Sequence, residues 1–481
     1  MTTEAWRVLV VCVGLLAAAC ARSPERLSDR GLVVLEGATL VDPARNAPLA
    51  NSAVVLRGDR IVRVGKVGDF RYPKDASIVN VSNRYLIPGL IDVHVHVPVG
   101  AEAETLRMLL AFGITTIRSP GSLPEQGVLL RERVVSGELI GPRMLVAGRV
   151  LTSRADMTPG FVKVTNDDEV REEIERQAAS GVDWIKLYRE LSPALVRTAV
   201  SAAHARGLKV VGHMGVTSWT EAASAGIDGL THSGHAGPTW ELVAPEYRDE
   251  LRWISLNVAP PEQLRFKSMS QRYAQFVDIV DLRGRWFDAL VTALIEHNVT
   301  VDPTLVMINA MEYGDDLGVL AKLEPQLAPP PILATWGKGW QEMNPLIQQN
   351  PEWQMTKAKG LFPIGLEIVR RFHDRGVRIA AGTDVGSPWI TPGVSLHREL
   401  EFLVAAGIPT RDVLLTATRN GAESLGVLSD IGTIEPGKMA DLVLLRSNPL
   451  EDIRNTRSIE AVYRAGHRYL PDGLLAASAA K

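Results

Sequence analysis

The chain has 481 residues, with 52 basic against 55 acidic side chains and a formal net charge of −3; 46% of residues are apolar and 22% charged. That balance suits a chain with a large apolar core, and it lacks the basic excess that a nucleic-acid partner requires. No run of roughly 18 apolar residues suggests a spanning helix, and 41 glycines and 29 prolines without a period exclude a fibrous or low-complexity chain.

The only two cysteines, Cys12 and Cys20, lie in the first twenty residues, so the body can hold neither a disulfide framework nor a thiolate metal site. An apolar run from Val8 to Ala19 ends in Ala17-Ala18-Ala19-Cys20. It is too short to cross a bilayer and has the length of a secretory h-region. Small residues directly before a cysteine resemble a bacterial lipobox, although Leu16 stands four rather than three residues before Cys20. Residues 1–20 therefore read as a lipoprotein-type signal peptide. The mature protein would be extracytoplasmic (periplasmic or cell-surface), tethered through lipidated Cys20; simple secretion is the alternative.

Residues 21–87 contain short alternating segments separated by turns, with Gly58-Asp59 placed where a hairpin turn belongs. Residues 426–481 read alike, through Leu442-Val-Leu-Leu445 and Ile459-Glu-Ala-Val-Tyr-Arg464. Neither piece is long enough for a secure core alone, so the two chain ends are expected to combine in a small β-sandwich.

Between them, residues 88–425 repeat one unit: a Gly or Asn, then a short apolar run. The runs begin at Gly89, Gly113, Gly141, Gly181, Gly207, Gly226, Asn298 and Gly376. This is the appearance of a strand entered from the C′ residue of a helix. Intervening segments such as Asp167–Ser180 and Pro193–Arg206 have helical spacing. Eight strands alternating with helices predict an α/β fold, a (β/α)8 TIM barrel beside the sandwich. Residues 313–362, with Pro329-Pro330-Pro331 and Trp336, Trp340 and Trp353, break the alternation and read as an insertion between strands seven and eight. Such a loop lies on the functional face, either as a lid or as a packed surface loop.

Chemistry in a barrel gathers where the strands end. The first strand ends in His94-Val-His96, the fourth carries Lys186, the fifth ends at His213, the sixth at His232 and the eighth at Asp384. Residues i and i+2 share a strand face, so His94 and His96 can meet one ion. Imidazole and carboxylate without thiolate suit Zn2+ or a similar metal. His204, His297 and His373 instead precede the Gly or Asn that opens a strand, at helix C-termini on the opposite face. His467 falls in the terminal β segment, and His397 has no assigned role.

Ile87-Pro-Gly-Leu-Ile-Asp-Val-His-Val-His96 resembles the first-strand signature of the metal-dependent amidohydrolase superfamily. Gly382-Thr-Asp384 resembles its eighth strand, and Gly432-Thr-Ile-Glu-Pro-Gly-Lys-Met-Ala-Asp-Leu442 its return to the sandwich. Within the superfamily the chain looks most like the imidazolonepropionase/prolidase-like branch. The resemblance implies that His94, His96 and Asp384 hold one Zn2+ and His213 and His232 a second, bridged by Lys186 carboxylated by CO2. It implies hydrolysis of an amide-type C–N bond by metal-activated water, with Asp384 as the base. Tyr188 and His235 are then candidate donors to the developing oxyanion, and Arg118 a candidate fork for a substrate carboxylate. A dipeptide or N-acyl amino acid is the expected substrate. The alternatives are ring opening of a cyclic amide, as in imidazolonepropionase, or a catalytically silent lipid-anchored binding protein.

Overall fold

The computed structural model describes residues 25–26, 31–154, 160–233, 238–256, 276–313, 317–336 and 360–479. The amino-terminal body is a hairpin-rich sheet of β1 (Leu32–Glu36), β2 (Ser52–Arg57), β3 (Arg60–Lys66) and β4 (Ser77–Asn80), in the order β3-β2-β1-β4. β2 and β3 pair antiparallel across the expected Gly58-Asp59 turn. β5 (Tyr85–Pro88) leaves this layer and leads into the barrel.

Eight parallel strands follow in chain order: β6 (Leu90–Asp92), β7 (Ile114–Ser119), β8 (Arg143–Thr152), β9 (Trp184–Leu187), β10 (Lys209–Gly212), β11 (Gly229–Thr231), β12 (Thr300–Asp302) and β13 (Arg378–Ile379). Closure comes from backbone bonds between the extensions of the first and last strands. Val93 N–H donates to the Ala381 carbonyl (3.0 Å), Asp384 N–H to that of His94 (2.8 Å) and His96 N–H to that of Val385 (2.7 Å). The sheet is a barrel, as the alternating units predict.

Helices return the chain between strands. They include α1 (Glu102–Ala111), α2 (Pro124–Val135), α3 (Asp167–Ala179), α4 (Pro193–His204), α5 (Trp219–Ser224), α6 (Arg285–Glu296), α7 (Leu305–Glu312), α8 (Leu361–Asp374) and α9 (Val394–Ala405). Asn166 and Ser192 cap α3 and α4 by accepting from backbone N–H groups of the first turn, which fixes both starts where the sequence places them. At the helix ends, Gly376 (φ +83°) and Asn298 (φ +55°) take the left-handed conformation that lets the chain reverse into β13 and β12.

β14 (Leu442–Leu445), β15 (Ile459–Arg464) and β16 (His467–Tyr469) complete the second sheet, with β14 antiparallel to β5 through the pair Ile87↔Val443. Leu35, Val54, Leu56 and Ile61 from the amino-terminal sheet bury against Leu86, Leu442, Leu444 and Tyr463 from the mixed one. The small domain is thus a sandwich of both chain ends. Where it joins the barrel, a Cβ on Gly89 would collide with Thr115 Oγ1, so the signature glycine is required by close approach.

The described part of the 313–362 insertion enters between α7 and α8. Ala328, Ile332 and Trp336 bury against Ala101 at the start of α1 and Trp389 in the loop after Asp384. It therefore rests on loops at the barrel's strand-end face. Trp340 and Trp353 lie outside the described residues. Among the described residues no helix is long and apolar enough to cross a membrane, and Cys20 lies outside them.

Candidate metal centre

Strand pleating turns His94 and His96 to one side of the first-strand extension, and barrel closure brings Asp384 against them. His94 Nε2 lies 3.3 Å and His96 Nε2 3.4 Å from Asp384 Oδ1. One ligand atom from each of the three falls within 4.8 Å of the others. The imidazole set continues around the rim: the His94 and His232 ring centres are 5.0 Å apart, and those of His213 and His232 4.5 Å. Tyr188 stands edge-on to His213 at 4.9 Å. Lys186 is 3% exposed, and its Nζ has no hydrogen-bond partner among the described residues. The four histidine rings, Lys186 and Asp384 thus lie together at the strand-end face.

Three non-glycine residues of this rim hold left-handed backbone: His232 (φ +70°), Thr304 (φ +47°) and Asp384 (φ +63°). Each such residue costs of order 1–3 kcal/mol and persists only where its surroundings over-determine it. Here the strand ends are bent so that ligand side chains aim at a common point.

A second layer orients the imidazoles. His94 Nδ1 donates to Asp302 Oδ2 (3.1 Å), which leaves the Nε2 lone pair facing Asp384. His96 Nδ1 donates to the Gly121 carbonyl (3.4 Å), and His232 Nδ1 lies 2.7 Å from Thr304 Oγ1. Asp92 accepts from the backbone N–H groups of His94 and Thr383 (both 3.1 Å) and from Thr383 Oγ1 (2.7 Å), stapling the first strand end to the eighth. Burial holds the His94 and His96 imidazoles below their ordinary range, so they stay neutral and able to ligate. Burial also lowers the Lys186 amine and raises the Asp302 carboxyl and the Tyr188 phenol. Neutral imidazoles, a shared carboxylate and an orphaned buried amine together form a donor set that fits a divalent cation.

Asp302 and Thr304 were not singled out by sequence reasoning. Asp302 ends the seventh strand in Val299-Thr-Val-Asp302, and that position was the available signal. Arg118 is a correction. It is 1% exposed inside the barrel, with Nη2 donating to Asp302 Oδ2 (3.2 Å) and its guanidinium 4.7 Å from the Trp184 ring centre. Its inward-facing position on β7 commits it to that pair rather than to a substrate at the mouth. His235 lies outside the described residues. His204 and His373 pair with Asp228 (2.9 Å) and Asp412 (3.2 Å) at helix C-termini, and His467 is exposed. His397 is buried, bridging Thr456 Oγ1 (2.8 Å) and the Phe112 carbonyl (2.9 Å).

Among solved structures, the fold is similar to that of a Xaa-Pro dipeptidase with bound methionine (TM-score 0.66, 20% identity, 92% of this chain and 100% of that one). It is similar also to bottromycin amidohydrolase (0.67, 21%, 92% and 90%) and A. niger ochratoxinase (0.63, 19%, 92% and 97%). Curated relatives match over less. 5'-Deoxyadenosine deaminase of Methanothermobacter thermautotrophicus is 31% identical over 28% of this chain and 32% of its own length. Dihydroorotase of Anaeromyxobacter sp. is 28% identical over 38% and 41%. The chain thus spans about a third to two fifths of the length of these relatives. The model of the amidohydrolase family matches residues 85–468, from β5 through the whole barrel to β16. With that match over most of its length, the chain belongs to the amidohydrolase family.

Proposed function

We propose that the chain hydrolyses the amide C–N bond of a dipeptide or N-acyl amino acid. The observation that carries this reading is the gathering of His94, His96 and Asp384 ligand atoms within 4.8 Å at the strand-end face. The likeness to a Xaa-Pro dipeptidase, which runs through 92% of the chain, supports an acyclic amide as the substrate.

His94, His96 and Asp384 would hold one Zn2+ and His213 and His232 a second, with carboxylated Lys186 between them. When bound, such ions lower the pKa of water to about 7 and polarise a carbonyl oxygen. Asp384 takes the proton of the attacking water and returns it to the leaving nitrogen; such help is typically about 10²–10⁴-fold. Ser387 Oγ donates to Asp384 Oδ2 (3.2 Å), which orients the carboxylate for that exchange. Tyr188, kept protonated by burial, donates to the oxyanion that forms on the substrate. A lipid tether at Cys20 would keep this chemistry outside the cytoplasm.

The test is a panel of dipeptides and N-acyl amino acids on zinc-loaded protein supplied with bicarbonate, with metal stoichiometry measured on the same sample. The expected result is amide hydrolysis by protein holding two ions. Metal binding without turnover of any substrate would point to the silent binding protein instead.

A further inference from the structure

A cavity of about 510 Å³ lies beside Gly121, which packs against the His96 ring. It is lined by α2, the chain leading into α1 and the loop after β7, and Gly121, whose carbonyl accepts from His96 Nδ1, forms part of its wall. Val97, Val99, Leu123, Leu129, Leu130 and Met144 supply its apolar lining. Three of its polar side chains have partners within the chain. Glu102 accepts from Gly100 N–H (3.0 Å), Arg133 donates to Glu138 (2.7 Å) and Ser122 Oγ to the Ala147 carbonyl (3.1 Å). Meanwhile Val99 is 80% and Leu129 61% exposed at the rim, apolar surface that the fold itself leaves in water. A concave site of this size, with six apolar side chains on its wall, suits an apolar ligand.

We propose that this cavity receives the acyl chain of the substrate, so that the preferred substrates are N-acyl amino acids with long apolar acyl groups. The inference rests on the amide-hydrolysis reading and decides between its two substrate classes. With the scissile carbonyl at the His94–His96–Asp384 cluster, the chain beyond it would pass Gly121 into the cavity beside α2. Water adds across the C–N bond: the acyl carbon gains the oxygen and leaves as the fatty acid, and the nitrogen takes the proton and leaves as the free amino acid. A dipeptide with small residues fills little of this volume and forgoes the burial. Each methylene taken from water into the cavity raises kcat/KM by about two- to fourfold until the cavity is filled.

The experiment compares N-acetyl-, N-hexanoyl- and N-decanoyl-L-alanine with Ala-Pro on metal-loaded full-length enzyme. It is repeated on Leu129→Asp and Gln126→Trp, both at exposed lining positions where the fold tolerates change. Decanoate binding is followed in parallel by calorimetry. The expected result is a ratio of decanoyl to acetyl kcat/KM of about 100 or more, reduced about tenfold in each variant, with decanoate affinity falling in step. Hydrolysis of all the substrates at similar efficiency, with variants unchanged, would overturn the acyl-chain site and leave the amidase reading standing. If nothing is hydrolysed yet decanoate binds and Leu129→Asp weakens it, the site stands and the assigned reaction fails. Absence of both chain-length preference and decanoate binding overturns the proposal.

Discussion

Asp302 Oδ2 sits 3.1 Å from His94 Nδ1 and 3.2 Å from Arg118 Nη2, so one buried carboxylate ties an interior cation to a metal-facing imidazole. With an ion bound at His94 the arrangement would be a carboxylate–histidine–metal triad with a guanidinium behind it, and such outer partners typically govern about 10–100-fold in metal affinity. Asp302→Asn should fold and lose metal affinity by that factor in an equilibrium titration. Asp302→Ala should cost about 3–5 kcal/mol in denaturant unfolding, because it strands buried Arg118 without its counter-charge. Adding Arg118→Met should restore much of that loss; a double variant no more stable than Asp302→Ala would mean that Arg118 is held by something other than this pair.

Lys186 presents the opposite case, an amine buried with no hydrogen-bond partner among the described residues. Lys186→Met keeps the volume and removes a desolvated cation, so unfolding stability should hold or rise. Turnover should nevertheless fall about 100-fold or more, and dependence on bicarbonate should vanish. Unchanged turnover and metal content would rule out a bridging role.

Asp384→Asn preserves size and the contact with Ser387. The variant should unfold at the wild-type denaturant midpoint, yet kcat should drop about 10²–10⁴-fold with loss of the base. Near-normal kcat would remove Asp384 from the chemistry.

Acid sensitivity should trace to His397. Burial pushes its imidazole from 6.5 down to about 4, and it bridges α9 to Phe112 and Thr456 as a neutral ring. Between these values the unfolded chain binds a proton that the folded one refuses. Stability is therefore full above about pH 6.5 and declines as the pH falls toward 4, by on the order of 3 kcal/mol. In urea titrations across that window, His397→Gln should show a shallower slope than wild type; equal slopes would shift the effect to other buried groups.

The fold was legible because a helix must stop before a strand can start: left-handed Gly113, Gly181, Gly207, Gly226, Asn298 and Gly376 close helices, and the apolar runs after them are barrel strands, whereas Gly89 follows β5 and Gly141 comes after left-handed Gly137. The convergence of His94, His213, His232 and Asp384 followed from strand ends alone, since closure leaves them no other place to meet. Asp302 escaped notice because its partner is 208 residues away, and a single aspartate at a strand end carries no spacing to read. Arg118 was misplaced for a related reason. Alternation says that a side chain faces the interior, but the depth at which it finds a counter-charge depends on the opposite wall.

The most direct test is anomalous diffraction at the zinc edge on crystals of turnover-competent enzyme. The account predicts a strong peak among His94 Nε2, His96 Nε2 and Asp384 Oδ1, with a second beside His213 and His232. Fully active crystals with no anomalous signal at that rim, or with the ion bound elsewhere, would contradict it.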